Sequence, residues 1–182
     1  MKKALMIASV LVVAVVSTAC INNIAVQELN NKANEFMQKG DYESAVNRLQ
    51  ASLDLDSTIY QTHYNLGVAA INAHKYEVAI KALEDGIKIK PDYSNFYYSL
   101  GVAQIGLADE ILEGEDDLGE AGEKKNDVTQ EDKAKATELK AESVVNLKKY
   151  LELSHNSDDR DSVEEMIKQS EEFISGGDKV TE

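Results

Sequence analysis

Apolar residues return every three or four positions along the chain, the period of helices that bury one face. Short polar stretches interrupt the pattern. "KGDYESA" (39–45) and "AHKYEVA" (73–79) read as turns, in which Gly40 supplies a permissive backbone and Tyr42 or Tyr76 fills the gap beneath. Pro91, after "IKIK", ends a helix because its ring cannot continue one. The pattern predicts an all-α protein of paired helices.

The pairs repeat. A shift of 34 residues carries Ala33 to Gly67 and Gly101, Tyr42 to Tyr76, Ala45 to Ala79, Leu49 to Leu83 and Leu53 to Ile87. It also carries Tyr64-x-Leu66-Gly67-Val68-Ala69 onto Tyr98-x-Leu100-Gly101-Val102-Ala103. A period of that length with two helices per unit resembles the tetratricopeptide repeat. The resemblance implies a solenoid of helical hairpins, each stacked on the next. The small residues at 33, 67 and 101, and at 45 and 79, let the two helices of a unit approach closely. The units are read as about 26–59, 60–93 and 94–157.

The third unit is split. Its second helix is found at "SVVNLKKYLEL" (143–153), which aligns with "AVNRLQASLDL" (45–55). About 30 residues, 108–137, are therefore inserted between its helices. Ile105, Ala108, Ile111 and Leu112 extend the first helix, and Thr129 followed by Asp132 resembles a capping start for the second. Between them "EGEDDLGEAGEKKND" (113–127) reads as a mobile charged tip. A last helix, 161–174, carries Val163, Met166, Ile167, Phe173 and Ile174 on one stripe, with Asp161 as its cap, and covers the open end of the solenoid. Residues 175–182 read as a frayed tail.

The N-terminus follows another logic. Lys2 and Lys3 precede an apolar run from Ala4 to Val16, too short to span a bilayer, and then Ser17-Thr18-Ala19 and Cys20. The segment 1–19 resembles a bacterial lipoprotein signal, with Ser17 where that family prefers Leu. The resemblance implies cleavage before Cys20, a lipid on its thiol and a short tether over 20–25. Ordinary signal cleavage at the same place remains the alternative. Ile21, where an inner-membrane retention signal has Asp, implies the outer membrane, facing the periplasm. With a first helix from about Val26, only about six residues would separate it from Cys20, a reach of roughly 20 Å that keeps the domain near the membrane.

Charge and chemistry narrow the function. The 33 acidic and 19 basic residues give −14, and −16 once Lys2 and Lys3 are removed with the signal. That balance argues against nucleic acid and against anionic lipid. A single cysteine excludes an internal disulfide. His63, His74 and His155 are scattered, no calcium-loop register fits the acidic insertion, and no nucleophile stands beside a base. The chain reads as a non-enzyme with neither metal nor cofactor.

In the repeat family the first helices of the units line a concave groove that binds peptides. Read at i, i+4, i+7, that face is Asn30, Asn34 and Met37, then Tyr64, Val68 and Ile71, then Tyr98, Val102 and Ile105, with Asn65 and Asn95 beside them. One branch of the family holds terminal carboxylates with two asparagines and three basic residues. Asn34 and Asn65 match the asparagines, but Asn30, Asn95 and Ser99 stand at the basic positions. A neutral or hydrophobic peptide of another envelope or membrane-associated protein is the expected partner, which makes the chain a scaffold or adaptor. The alternatives are a carrier of a small hydrophobic ligand working with a transporter, and a homodimer or the chain's own segments filling the groove.

Overall fold

The computed structural model describes residues 23–113, 128–154 and 158–177. Among them run seven helices and no strand: α1 (23–38), α2 (Tyr42–Leu55), α3 (Tyr60–Asn72), α4 (Tyr76–Ile89), α5 (Ser94–Glu113), α6 (Gln130–Leu153) and α7 (Arg160–Gly177). The signal segment, Cys20, residues 114–127 of the charged tip, His155 and the end of the tail lie outside the described residues. None of the described helices is long and apolar enough to cross a membrane.

Three antiparallel hairpins, α1–α2, α3–α4 and α5–α6, stack in chain order, and α7 packs on α6. The close approach within each hairpin comes from small residues facing large ones. Gly67 lies against Leu83, and Gly101 lies against Leu147. Gly86 of α4 receives the ring of Phe96, so the second hairpin grips the third in the same way. Leu49, Leu83, Phe96, Leu147 and Val163 are fully buried, each stabilising the fold by about 1.5–3 kcal/mol.

The turns explain why the third unit differs. Gly40 (φ +75°) and His74 (φ +55°) occupy equivalent places and bend the chain left-handed between the two helices of their units. At the third equivalent place stands Ala108, which is buried and helical. With no left-handed turn there, α5 runs on for 20 residues, against 13 in α3. The returning α6 is 24 residues long, against 14 in α4.

Much of the insertion is thus helical extension, and it is fastened. Gln104, 2 % exposed, donates from Nε2 to Glu142 Oε2 at 2.8 Å and accepts from Asn146 Nδ2 at 2.9 Å. Lys140 pairs with Asp109 at 2.6 Å. Gly106 leaves room for the ring of Tyr76 at the start of α4. Burial, then the carboxylates of Glu110, Asp109 and Glu113, push the Tyr76 phenol above its ordinary range. Thr129 opens α6 with a full capping box: its hydroxyl accepts from the Asp132 amide, and the Asp132 carboxylate accepts from the Thr129 amide.

Both ends of the stack are polar. In units two and three Thr62 and Phe96, Leu66 and Leu100, and Ala69 and Ala103 are buried against the preceding unit. The equivalent positions in α1 are Glu28, Lys32 and Glu35, all exposed, so this face of α1 is mainly charged, with Ile24 the exposed large apolar side chain on it among the described residues. At the other end α7 turns Val163, Ile167 and Ser170 inward. It is longer than expected at both ends. Tyr150 donates its hydroxyl to Asp159 at 2.9 Å, and the Asp159 carbonyl accepts from the Val163 amide, which fixes the start of α7 before Asp161. Ser175 hydrogen-bonds the carbonyl of Glu172 and prolongs its last turn.

Candidate functional site

The expected groove residues separate into two sets. Asn30, Tyr64 and Tyr98 occupy one position of the three units, and each is engaged by its neighbours in the stack. Asn30 donates from Nδ2 to Ser52 Oγ at 2.9 Å and accepts from Thr62 Oγ1 at 3.2 Å, which ties α1 to α2 and α3. Tyr64 meets the rings of Tyr93 and Phe96 edge-on at 5.3 and 5.8 Å. Burial, then Tyr93, push its phenol above the ordinary range, and hydrogen bonding with Ser99 and Asn95 offsets part of that shift. Tyr98 leans on Tyr150 with ring centroids 5.3 Å apart. Met37 and Ile71 pack on the main core, and Ile105 packs on the α6–α7 cluster. These six side chains are engaged within the fold.

The second set faces outward. Asn34 is exposed, and Asn65, Val68 and Val102 are half-buried. Val68 and Val102 pack into neither core cluster, and the side chains of Asn34 and Asn65 bond to none of the described residues. Asn34, Val68 and Val102 are the same repeat position in α1, α3 and α5, so they form one row across the three helices. Amides flank that row at the adjoining helical positions. Gln27, Asn31 and Gln38 on α1, and Gln61 and Asn72 on α3, are all exposed. Asn95 continues the series on α5, where its Nδ2 donates to the Tyr93 hydroxyl at 3.3 Å.

The resulting face has no ionised side chain in its central row. A carboxamide both donates and accepts, so a ladder of them matches the alternating N–H and C=O groups of an extended peptide whatever its side chains. The two valines offer a small apolar floor. A depression of about 280 Å³ also lies along α1, lined by Ile24, Gln27, Glu28, Asn31, Lys32 and Glu35, and so borders the amides at Gln27 and Asn31.

The histidines are placed apart. The His63 ring is buried with Nε2 2.9 Å from the Ser57 carbonyl, which makes Nε2 the donor and leaves Nδ1 without a partner among the described residues. His74 Nδ1 lies 2.9 Å from the Tyr76 hydroxyl. Among the described residues no three His, Cys, Asp or Glu gather where they could hold a metal ion.

The family model described as "TPR repeat" matches residues 33–70, and the model described as "Tetratricopeptide repeat" matches residues 60–93. Residues 33–93 are thus similar to tetratricopeptide repeats. Solved tetratricopeptide structures share the architecture. The second TPR domain of human RPAP3, in complex with HSP70 peptide SGPTIEEVD, superposes with a TM-score of 0.60 at 15 % identity, over 82 % of this chain and 98 % of that one. The TPR2B domain of yeast Sti1, in complex with an Hsp70 peptide, gives 0.55 at 15 % identity, with 82 % and 98 % covered. The type III secretion translocator chaperone SycD of Yersinia enterocolitica gives 0.54 at 20 % identity, with 80 % and 91 % covered. These likenesses establish the fold. No curated protein sequence matches the chain.

Proposed function

We propose that the tetratricopeptide domain is a docking module, held by a lipid on Cys20 to the bacterial outer membrane, that binds an extended neutral or apolar segment of another envelope protein across α1, α3 and α5. The uncommitted row of Asn34, Val68 and Val102, flanked by amides, carries this reading. Similar domains have been solved with peptides bound, which supports a peptide as the class of ligand. The RPAP3 peptide ends in acidic residues, and here Asn30, Asn95 and Ser99 replace the cations that the family uses for such an end. Asn30 and Ser99 are moreover occupied within the fold. An internal, uncharged segment fits better than an acidic tail.

A photoreactive residue in place of Val68, with a control in place of the outward-facing Val145, tests this in the native envelope. The expected result is an adduct heavier by one other protein at Val68 and none at Val145. An adduct only with a second copy of the chain would replace the reading with self-association, and none at Val68 would end it. The mass of the N-terminal peptide of the mature chain tests the lipid separately.

A further inference from the structure

Three of the four large apolar side chains that stand exposed among the described residues lie on one rim of the solenoid. Ile24, 66 % exposed, lies at the start of the described part of α1, and Leu55 and Ile89, each 42 % exposed, close α2 and α4. Antiparallel hairpins bring the starts of α1, α3 and α5 to the same side as the ends of α2, α4 and α6. Contacts across this rim confirm the placement. Asn30 reaches Ser52 and Thr62, and Tyr60 meets Tyr93 at 5.6 Å. Lys90 lies 4.7 Å above the Tyr60 ring. The opposite rim holds the turns at Gly40 and His74 and the acidic extension of α5 and α6.

We propose that the rim bearing Ile24, Leu55 and Ile89 rests on the surface of an uncharged, zwitterionic bilayer, so that the helices stand upright on the membrane. The groove then opens sideways along the surface and the acidic hairpin points away. This rests on the lipid-anchor reading above. It also goes beyond proximity, because it assigns one edge of the domain to the lipid.

The occupant follows from where the chain enters. Asn23, the first described residue and three positions before Val26, is already helical. The three residues of chain that separate it from Cys20 span at most about 10 Å. A lipid on Cys20 would hold this rim, and no other, within touching distance of the headgroups. A tethered second contact is effectively intramolecular, so a few apolar side chains suffice to fix the orientation. Partly buried tyrosines and a lysine on the same edge suit a layer that is apolar on one side and wet on the other. Lys88, Lys90 and Arg160 there are outnumbered by Asp54, Asp56, Asp92, Glu152, Asp158, Asp159 and Asp161, so the edge repels anionic headgroups. Neutral headgroups are therefore the match, and anionic ones are not.

The test uses the full chain, exported and processed by a bacterium and reconstituted in phosphatidylcholine vesicles that contain nitroxide-bearing lipid. The mass of the Cys20 peptide is read first. An environment-sensitive fluorophore is then placed singly at Leu55→Cys, Ile89→Cys, Lys75→Cys on the opposite rim, and Val145→Cys on the outer face. The expected result is a lipid-bearing Cys20 with quenching at 55 and 89 at least twofold stronger than at 75 and 145. Equal quenching at the four sites, with Cys20 lipid-bearing, would overturn the orientation and leave the anchor standing. A Cys20 without lipid would remove the anchor, and the proposal with it.

Discussion

Gly101 in α5 lies beneath Leu147 in α6 as Gly67 in α3 lies beneath Leu83 in α4, although the first pair is 30 residues further apart in sequence. The third hairpin therefore closes on the same small-to-large fit as the second, with the insertion placed beyond the contact. A Cβ at Gly101 would stand 2.7 Å from Leu147 Cγ and 3.3 Å from the Ser143 carbonyl oxygen, which is backbone and cannot rotate aside. Gly101→Ala should destabilise by about 1–3 kcal/mol through overpacking, outweighing a gain of about 1 kcal/mol in helix propensity. Urea unfolding followed by circular dichroism measures this. In a Leu147→Ala background the same substitution should cost almost nothing, and an equal cost in both backgrounds would refute the steric account.

The helices and the split repeat were legible because burial within a hairpin obeys one period, and Ala33, Gly67 and Gly101 report it directly. The groove was only half legible. A stripe at i, i+4, i+7 treats three positions as one face, yet residues four apart on a helix are rotated by about 40°. In a single unit that angle means little. In a stack it decides whether a side chain meets the next unit, as Tyr64 does, or faces out, as Val68 does. The exposed amides at Gln27 and Asn31 were missed for the same reason, although their alignment with Gln61 and Asn65 at the repeat spacing could have revealed them. The extended α7 depended on Tyr150 reaching Asp159, a contact between helices that no local pattern encodes.

Two asparagines one turn apart on α1 should therefore behave oppositely. Asn30→Ala leaves the buried hydroxyls of Ser52 and Thr62 without their partner and should cost about 1–3 kcal/mol. Asn34→Ala removes an exposed amide and should alter stability by no more than about 0.5 kcal/mol. Its effect should appear in capture of the docked segment, compared by crosslinking yield at Val68. If Asn34→Ala unfolds the domain, or Asn30→Ala is silent, the division of the groove residues is wrong.

The cap of α6 makes a prediction about acid. The hydroxyl of Thr129, then its amide, hold the Asp132 carboxyl below the ordinary carboxylate range. A group with a depressed folded pKa contributes stability that is present above its unfolded value, about 3.9, and is lost as pH falls through the folded pKa. The first turn of α6 should fray in that acidic window, which amide exchange at 130–133 will register. Thr129→Val removes the hydroxyl donor and should move the Asp132 titration, followed by NMR, upward toward the ordinary range. An unchanged titration would mean that the box does not form in solution.

Lys140 joins the three last helices. Its ammonium pairs with Asp109 of α5 at 2.6 Å and stands 5.1 Å from the centroid of the Phe173 ring of α7, with a side chain only 10 % exposed. Asp109 is 53 % exposed, so water screens it and the pair is worth less than a fully buried one. Removing the carboxylate alone strands a nearly buried cation, and Asp109→Ala should cost about 1–2 kcal/mol. Lys140→Met removes the charge while keeping a long flexible side chain in the same space, and should cost less than about 1.5 kcal/mol. The double variant should then be no worse than Lys140→Met alone, because the aspartate has lost its purpose. Unfolding curves for the four proteins give the cycle, and hydrogen exchange across 160–174 shows whether α7 loosens with Asp109→Ala. If Lys140→Met proves the costlier single change, the cation holds α7 through the Phe173 ring more than through its carboxylate.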